Sequence, residues 1–346
     1  MLDDLKYIHE KDAQDALGVA EKQWQQLQHD FSGVELSGLN YDKVQNIIVA
    51  GMGGSALAAT LLSGWPKLNK PFEVVRQYTL PASAGAETLF IASSYSGNTE
   101  ETLEALHQAE SRKCQIVVIA AGGALEARAA EKEYPYFKIP GGLQPRMAVF
   151  YNFAALVQLL EPSGFIGTKK IHELRETADW LGEETKAFLP TVPSSDNKAK
   201  QIALECMGKS PVIYAGPELF PAAYKWKINF NENSKNVAWC GQYPEFNHNE
   251  FLGWTSHPTH KPYAVIDLRS SLEHKRVQKR FEVTERLLSG KRPAPEIIEV
   301  QGETPLKQLL WAVCLGDFVS LYLALLNGLN PTPVDLIEKF KKALDE

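Results

Sequence analysis

The chain has 346 residues, 44% of them hydrophobic and 23% charged, enough for about two average domains of roughly 150 residues each, which excludes a disordered chain and a disulfide-stapled miniprotein. Its net charge of −6, from 36 Lys and Arg against 42 Asp and Glu, removes the long-range attraction that non-specific binding to nucleic-acid phosphates relies on, so no nucleic-acid partner is expected. Cys114, Cys206, Cys240 and Cys314 form no CxxC pair, which is the usage of a reduced cytosolic chain, and neither a disulfide framework nor a structural zinc is expected.

The first 14 residues carry Asp3, Asp4, Lys6, Glu10, Lys11 and Asp12 and lack the basic-then-apolar order of a signal peptide. They read as unprocessed, and with the cysteine usage they predict a cytoplasmic protein. From 44 to 142, short β-branched runs alternate with helical stretches, the sequence sign of a parallel sheet with crossover helices. Strands are expected at 44–50, 72–77, 88–93 and 115–120, with a weaker one at 136–139; helices are expected at 56–63, 100–112 and 124–132. The helix at 100–112 places Leu103, Leu106 and His107 on one face. Helical stretches at 149–160 and 170–188 then lead to residues 189–198, where Pro190, Pro193, Ser194 and Ser195 mark a linker.

Beyond that linker the alternation resumes, with helices at 198–207, 221–231, 272–289 and 305–326 and strands at 211–215, 262–268 and 296–300. The expected organisation is therefore an amino-terminal α/β domain at 1–188, a linker at 189–198 and a second α/β domain at 199–346. Residues 309–326 are apolar enough to raise the question of a membrane span, but Gly316 and Asp317 interrupt them, so a buried helix and no membrane partner are expected. A proline-started helix at 334–344 closes the chain, with Asp335 in its first turn and Lys341 and Lys342 in its last. Both halves contain a strand that ends in Ala-Gly and runs into a helix, at 47–51 and 212–216, as an ancient duplication would leave.

Two loops carry the chemistry of the first half. Gly51-Met52-Gly53-Gly54-Ser55 follows a predicted strand and opens a helix, where unpaired amides and the helix dipole favour an anion. Ser93-Ser94-Tyr95-Ser96-Gly97-Asn98-Thr99 ends another strand before Glu100 and Glu101 start a helix, and ligands of open α/β sheets bind at such carboxyl ends. Turn and capping chemistry explains either loop alone. Gly51, Gly53 and Ala56 also satisfy G-x-G-x-x-A, with Glu73 or Arg76 available for a ribose, but a dinucleotide leaves Ser94, Ser96 and Thr99 without a task.

Residues 51–55 and 94–99 resemble the sugar isomerase (SIS) domain, whose members hold phosphosugars on these two loops. In the second half, Trp226-Lys227-Ile228-Asn229-Phe230-Asn231-Glu232-Asn233-Ser234-Lys235 sets one carboxylate among amides and aromatics. Pro244-Glu245-Phe246-Asn247-His248-Asn249-Glu250 follows, with an imidazole of the kind that exchanges protons near neutrality. Asn-Glu-Asn-Ser-Lys followed by Glu-Phe-Asn-His-Asn-Glu is similar to the bifunctional phosphoglucose/phosphomannose isomerases, a branch of the SIS superfamily. Residues 315–324 and Asn330-Pro331-Thr332-Pro333-Val334 resemble that family's carboxyl-terminal signature.

The resemblance implies two SIS-type doubly wound α/β domains, each a mainly parallel sheet flanked by helices. It assigns phosphate binding to Gly54, Ser55, Ser94, Ser96 and Thr99. It places Arg146 over the reacting carbons, makes Glu232 the base between carbons 1 and 2, and makes His248 the ring-opening group, donated across a homodimer interface. Lys307 matches a lysine that assists ring opening. The implied activity is interconversion of glucose 6-phosphate, and mannose 6-phosphate, with fructose 6-phosphate, without cofactor or metal; a non-catalytic phosphosugar-binding regulator is the alternative. His257 and His260 have an i, i+3 spacing that a metal can use, but no cluster completes a ligand set, so a surface loop is expected there. Trp180, Trp226, Trp239, Trp254 and Trp311 read as core or interface.

Overall fold

The computed structural model of the chain describes residues 1–255 and 262–344. They form two compact units, one of residues 22–182 and one that joins residues 1–21 to 183–346. His257 and His260 lie outside the described residues. In chain order the helices are α1 (Leu5–Lys11), α2 (Ala16–Lys22), α3 (Gly53–Leu61), α4 (Glu100–Ser111), α5 (Gly123–Lys132), α6 (Val149–Leu160), α7 (Lys170–Glu184), α8 (Lys198–Cys206), α9 (Phe220–Glu232), α10 (Glu250–Gly253), α11 (Lys275–Leu287), α12 (Pro305–Leu326) and α13 (Asp335–Leu344).

The 22–182 unit is built on β1 (Asn46–Ala50), β2 (Phe72–Val75), β3 (Thr88–Ser94), β4 (Gln115–Ala120) and β5 (Tyr136–Lys138), all parallel, in the order β2-β1-β3-β4-β5. Ile47, Ile48, Val49, Leu89, Phe90, Ile91, Val117 and Val118 are fully buried, because crossover helices cover both faces of the sheet. One face packs Ile48, Phe90 and Val118 against Ala105, Leu106 and Ala109 of α4 and Leu125 and Ala129 of α5. The buried stripe of α4 is Thr102, Ala105, Leu106 and Ala109, so His107, expected on one face with Leu103 and Leu106, is exposed while Leu106 is buried.

The other unit repeats the arrangement with β6 (Ser210–Ala215), β7 (Trp239–Gln242), β8 (Tyr263–Arg269) and β9 (Glu296–Glu299), parallel, in the order β7-β6-β8-β9. In both sheets the first strand of the unit lies between the second and the third, which gives the repeated Ala-Gly turn a structural counterpart. Residues 1–21 belong to this second unit. Asp3 accepts from the buried Lys200 ammonium at 2.9 Å, and Tyr7 donates to the carbonyl of Leu325 at 2.7 Å. The same ammonium donates to the carbonyls of Pro190 and Val192, so residues 189–198, expected as a linker, are part of the second unit. The chain passes between the units at 21/22 and at 182/183.

α12 is the core of this unit. It is apolar enough to span a membrane by length and composition, yet it is buried along nearly its whole length and packs on α8 and α9. Its two apparent interruptions are its contacts with α9. Gly316 leaves room for the Trp226 indole, whose Nε1 would lie 2.2 Å from a Cβ there and which donates to the carbonyl of Ala312. Asp317 pairs with the buried Lys225 ammonium and accepts from Asn229 Nδ2. Trp226, Trp254 and Trp311 are buried, whereas Trp239 on the edge strand β7 is half exposed.

Removing one partner of a buried ion pair strands the other charge, at a cost of about 3–5 kcal/mol. Asp317→Ala is therefore expected to lower the unfolding free energy in urea by about that much, and the double change Lys225→Met with Asp317→Leu to recover most of it.

Candidate active site

The residues singled out in the sequence fall into two groups, one in each unit. In the 22–182 unit, β1 and β3 are neighbours and β2 lies beyond β1, so the carboxyl ends of β1 and β3 flank the point where the strand order reverses. α3 starts there after residues 51–52 and α4 after residues 95–99. Neither helix start is capped by a side chain among the described residues. Thr99 stands at the N-cap of α4, but its hydroxyl is hydrogen-bonded to Ser94 Oγ at 2.7 Å, so the capping explanation of this loop does not hold. The Ser55 amide donates to the Met52 carbonyl at 3.0 Å, and the amides of Gly53 and Gly54 and of residues 100–102 are the first-turn donors that face an incoming acceptor.

The loops are tied to each other through Ser55 and Tyr95. Ser55 is buried and its Oγ accepts the Tyr95 amide at 2.8 Å; Ser93 Oγ donates to the Ser55 carbonyl. Ser94 is buried, with its Oγ 2.7 Å from Thr99 Oγ1, 3.5 Å from Ser96 Oγ and accepting the Gly97 amide. Ser96 is exposed and accepts the Asn98 amide. Three hydroxyls thus lie within one short loop beside an open helix start.

Gly54 and Arg146 meet through their backbones. A Cβ on Gly54 would fall 2.5 Å from the carbonyl of Pro145 and 2.7 Å from the amide of Arg146, so only glycine lets residues 145–147 approach the start of α3. Arg146 itself is buried. Tyr95, which no sequence motif singled out, supports the same segment: its hydroxyl donates to the Pro140 carbonyl and accepts the Leu143 amide at 2.9 Å. Burial raises the Tyr95 phenol above its ordinary pKa, which keeps it a donor. A tyrosine inside a serine-rich loop was the available signal. Glu73, the candidate ribose acid, is the second residue of the edge strand β2, paired with Ile48, and does not lie at that strand's carboxyl end.

In the second unit Glu232 is the last residue of α9, half buried. Its neighbours fix the helix end. Asn231 donates to the Asn236 carbonyl, Asn233 donates to Ser320 Oγ on α12, and Ser234 donates to the Phe230 carbonyl. Lys235 Nζ donates to the carbonyls of Glu232 and Pro331, holding the Asn330-Pro331 segment against the carboxyl end of α9.

His248 ends a single 3-10 turn, Glu245–His248, and is exposed. The turn is anchored on both sides. Phe246 packs on Tyr214 and Tyr243, with ring centroids 4.5 and 5.0 Å away, and Asn247 donates to Thr284 Oγ1 at 3.0 Å and accepts from Arg280 at 3.1 Å. Beyond it, Glu250 accepts the Tyr214 hydroxyl. Asn247 and its partners on α11 are a support that the sequence did not reveal, since the contact spans 37 residues.

Lys307 is the third residue of α12, and its amide is capped by Thr304 Oγ1 at 3.2 Å. A cation in the first turn opposes the helix dipole, by about 0.3–1 kcal/mol at an exposed site, so dipole stabilisation does not account for a lysine at this position.

Gly54→Ala is expected to displace residues 145–147 and to weaken inorganic phosphate binding at least tenfold in isothermal titration, with circular dichroism unchanged; unaltered affinity would show that this approach is not part of the anion site.

Residues 195–344 match the family model described as the bacterial phospho-glucose isomerase C-terminal SIS domain. The chain is 36% identical over 310 residues to a bifunctional phosphoglucose/phosphomannose isomerase of Caldicellulosiruptor bescii, covering 88% of this chain and 91% of that one. It is 33% identical to the enzyme of the same name from Aquifex aeolicus, covering 87% and 90%. Among solved structures, a glucose-6-phosphate isomerase like protein from Thermus thermophilus shares the fold with a TM-score of 0.64 at 19% identity, over 99% of this chain and 98% of that one. The sheet of the second unit thus lies in a SIS domain, and the chain belongs to the bifunctional phosphoglucose/phosphomannose isomerase family.

Proposed function

We propose that this enzyme interconverts glucose 6-phosphate and mannose 6-phosphate with fructose 6-phosphate, in the cytoplasm and as a homodimer. The observation that carries the reading is the pair of open helix starts with the Ser94, Ser96 and Thr99 hydroxyls at the β1/β3 switch point, in a chain of this family. A phosphate monoester takes hydrogen bonds from the amides of Gly54 and its neighbours and from these hydroxyls, with Ser55 setting the spacing of the two loops.

His248 and Lys307 open the sugar ring by moving protons between the ring oxygen and the O1 hydroxyl. His248 serves the site of the partner protomer, in keeping with its exposure at the end of an anchored turn. Glu232 takes the proton from carbon 2 of the open-chain aldose, and the electron pair moves through the C1–C2 bond onto O1, giving a cis-enediolate. Arg146 holds the negative charge. The O2 hydroxyl gives its proton to O1, and Glu232 returns its proton to carbon 1 as the C2–O2 carbonyl forms, so carbon 1 ends as a hydroxymethyl group and no atom is gained or lost. Rotation about the C2–C3 bond presents either epimer to the same base. A non-catalytic regulator would have use for the loops and none for a carboxylate held at the end of α9.

Glu232→Gln is expected to lower kcat for both aldose phosphates by about 10²–10⁴, the usual contribution of a general base, while a phosphosugar inhibitor still binds; normal turnover would remove the assignment. Turnover is expected to be unchanged after exhaustive dialysis against EDTA, and a loss restored by a divalent cation would contradict charge stabilisation by Arg146 alone.

A further inference from the structure

The second sheet has the same switch point as the first, because β6 lies between β7 and β8. Its two loops are residues 216–219, which lead from β6 to α9, and residues 270–274, which lead from β8 to α11. Here the crevice contains a carboxylate of the chain itself. Glu273 is buried, its Oε2 accepts the Glu218 amide at 3.1 Å and its Oε1 accepts the His274 amide at 3.1 Å, so it bridges the two loops as a phosphate would bridge those of the first sheet. Gly216 follows β6 as Gly51 follows β1, and a Cβ on Gly216 would lie 2.2 Å from Glu273 Oε2.

The remaining donors of this crevice are also engaged. Ser270 Oγ donates to Gln308 Oε1 and accepts the Leu272 amide, and Gln308 Nε2 donates to Ser271 Oγ and to the Gly302 carbonyl. The N-terminus of α11 is capped by His274, whose Nδ1 accepts the Arg276 amide. In the first sheet, by contrast, the loop hydroxyls bond to one another and no side chain caps α3 or α4 among the described residues.

From this geometry we infer that Glu273 is a built-in anion that closes the second crevice, so that the chain holds substrate phosphate at one of its two homologous switch points. It is a specificity determinant that acts by occupying a site. The inference rests on the reading of the first crevice as the phosphate site, and the test separates the two.

Inorganic phosphate is titrated calorimetrically into four forms of the full chain: the natural sequence, Ser94→Ala with Thr99→Val, Glu273→Ala, and all three changes together. The natural chain is expected to bind one phosphate, the Ser94/Thr99 variant none, Glu273→Ala two, and the triple variant one. Glu273→Gln, which refills the space, is expected to behave as the natural chain. If the Ser94/Thr99 variant still binds phosphate at full affinity, the first-crevice reading fails. If Glu273→Ala adds no site at phosphate about 100 times the natural Kd, whatever the first crevice does, the inference on Glu273 fails. Should Glu273→Ala not fold in anion-free buffer, formate or phosphate added during refolding is expected to restore its circular dichroism, and failure of both to do so overturns the inference.

Discussion

A lysine ammonium inside an apolar helix layer is tolerated only where its charge is met, and the pair of Lys225 with Asp317 meets it in the centre of the second unit. The pair fixes α9 on α12 in one register, and Asn229 on Asp317 and Asn233 on Ser320 extend the same seam. Glu232 lies seven residues from Lys225, two helical turns along that stripe, so the register set by the ion pair sets the position of the carboxylate. Replacing the seam by hydrocarbon would keep the helices together with less to choose between one register and the next. The Gly316-Asp317 interruption of an otherwise apolar helix is thereby explained: the glycine admits Trp226 and the aspartate fixes Lys225.

On the proposed reading the first unit solves a different problem, the capture of a dianion in a chain of net negative charge. Backbone amides at two helix starts and three hydroxyls supply directed donors without a lysine on either loop. Cross-bonding between the loops, Ser55 to Tyr95 and Ser93 to Ser55, holds these donors in place before substrate arrives, which is the condition for electrostatic preorganisation. In the proposed mechanism the Arg146 guanidinium meets the charge that develops during the reaction.

Much of this was legible in the sequence because burial on both faces writes parallel strands as continuous apolar runs: β3, β4 and α6 lie within a residue of where their patterns place them. α12 starts at Pro305 as expected, which also settles the place of Lys307 within its helix. The edge strand β7 was not legible, because Trp239-Cys240-Gly241-Gln242 is short, half buried and free of β-branched residues. Nor was the docking of residues 1–21 on the carboxyl-terminal unit, which depends on contacts such as Asp3 with Lys200, nearly two hundred residues apart. At the candidate site, Tyr95 and Asn247, which act by holding neighbours, were not singled out from the sequence; their roles depend on tertiary partners that no local pattern specifies.

The proposed chemistry rests on one carboxylate carrying a proton between adjacent carbons. Conversion of glucose 6-phosphate and of mannose 6-phosphate, each deuterated at carbon 2, followed by NMR in light water, tests this directly. Deuterium is expected to appear at carbon 1 of fructose 6-phosphate in part and in the solvent in part, in the same stereochemical position from both epimers, because a carboxylate exchanges some of what it carries. Complete retention from both substrates at every temperature and pH, the signature of a hydride shift that needs no base, would contradict the mechanism.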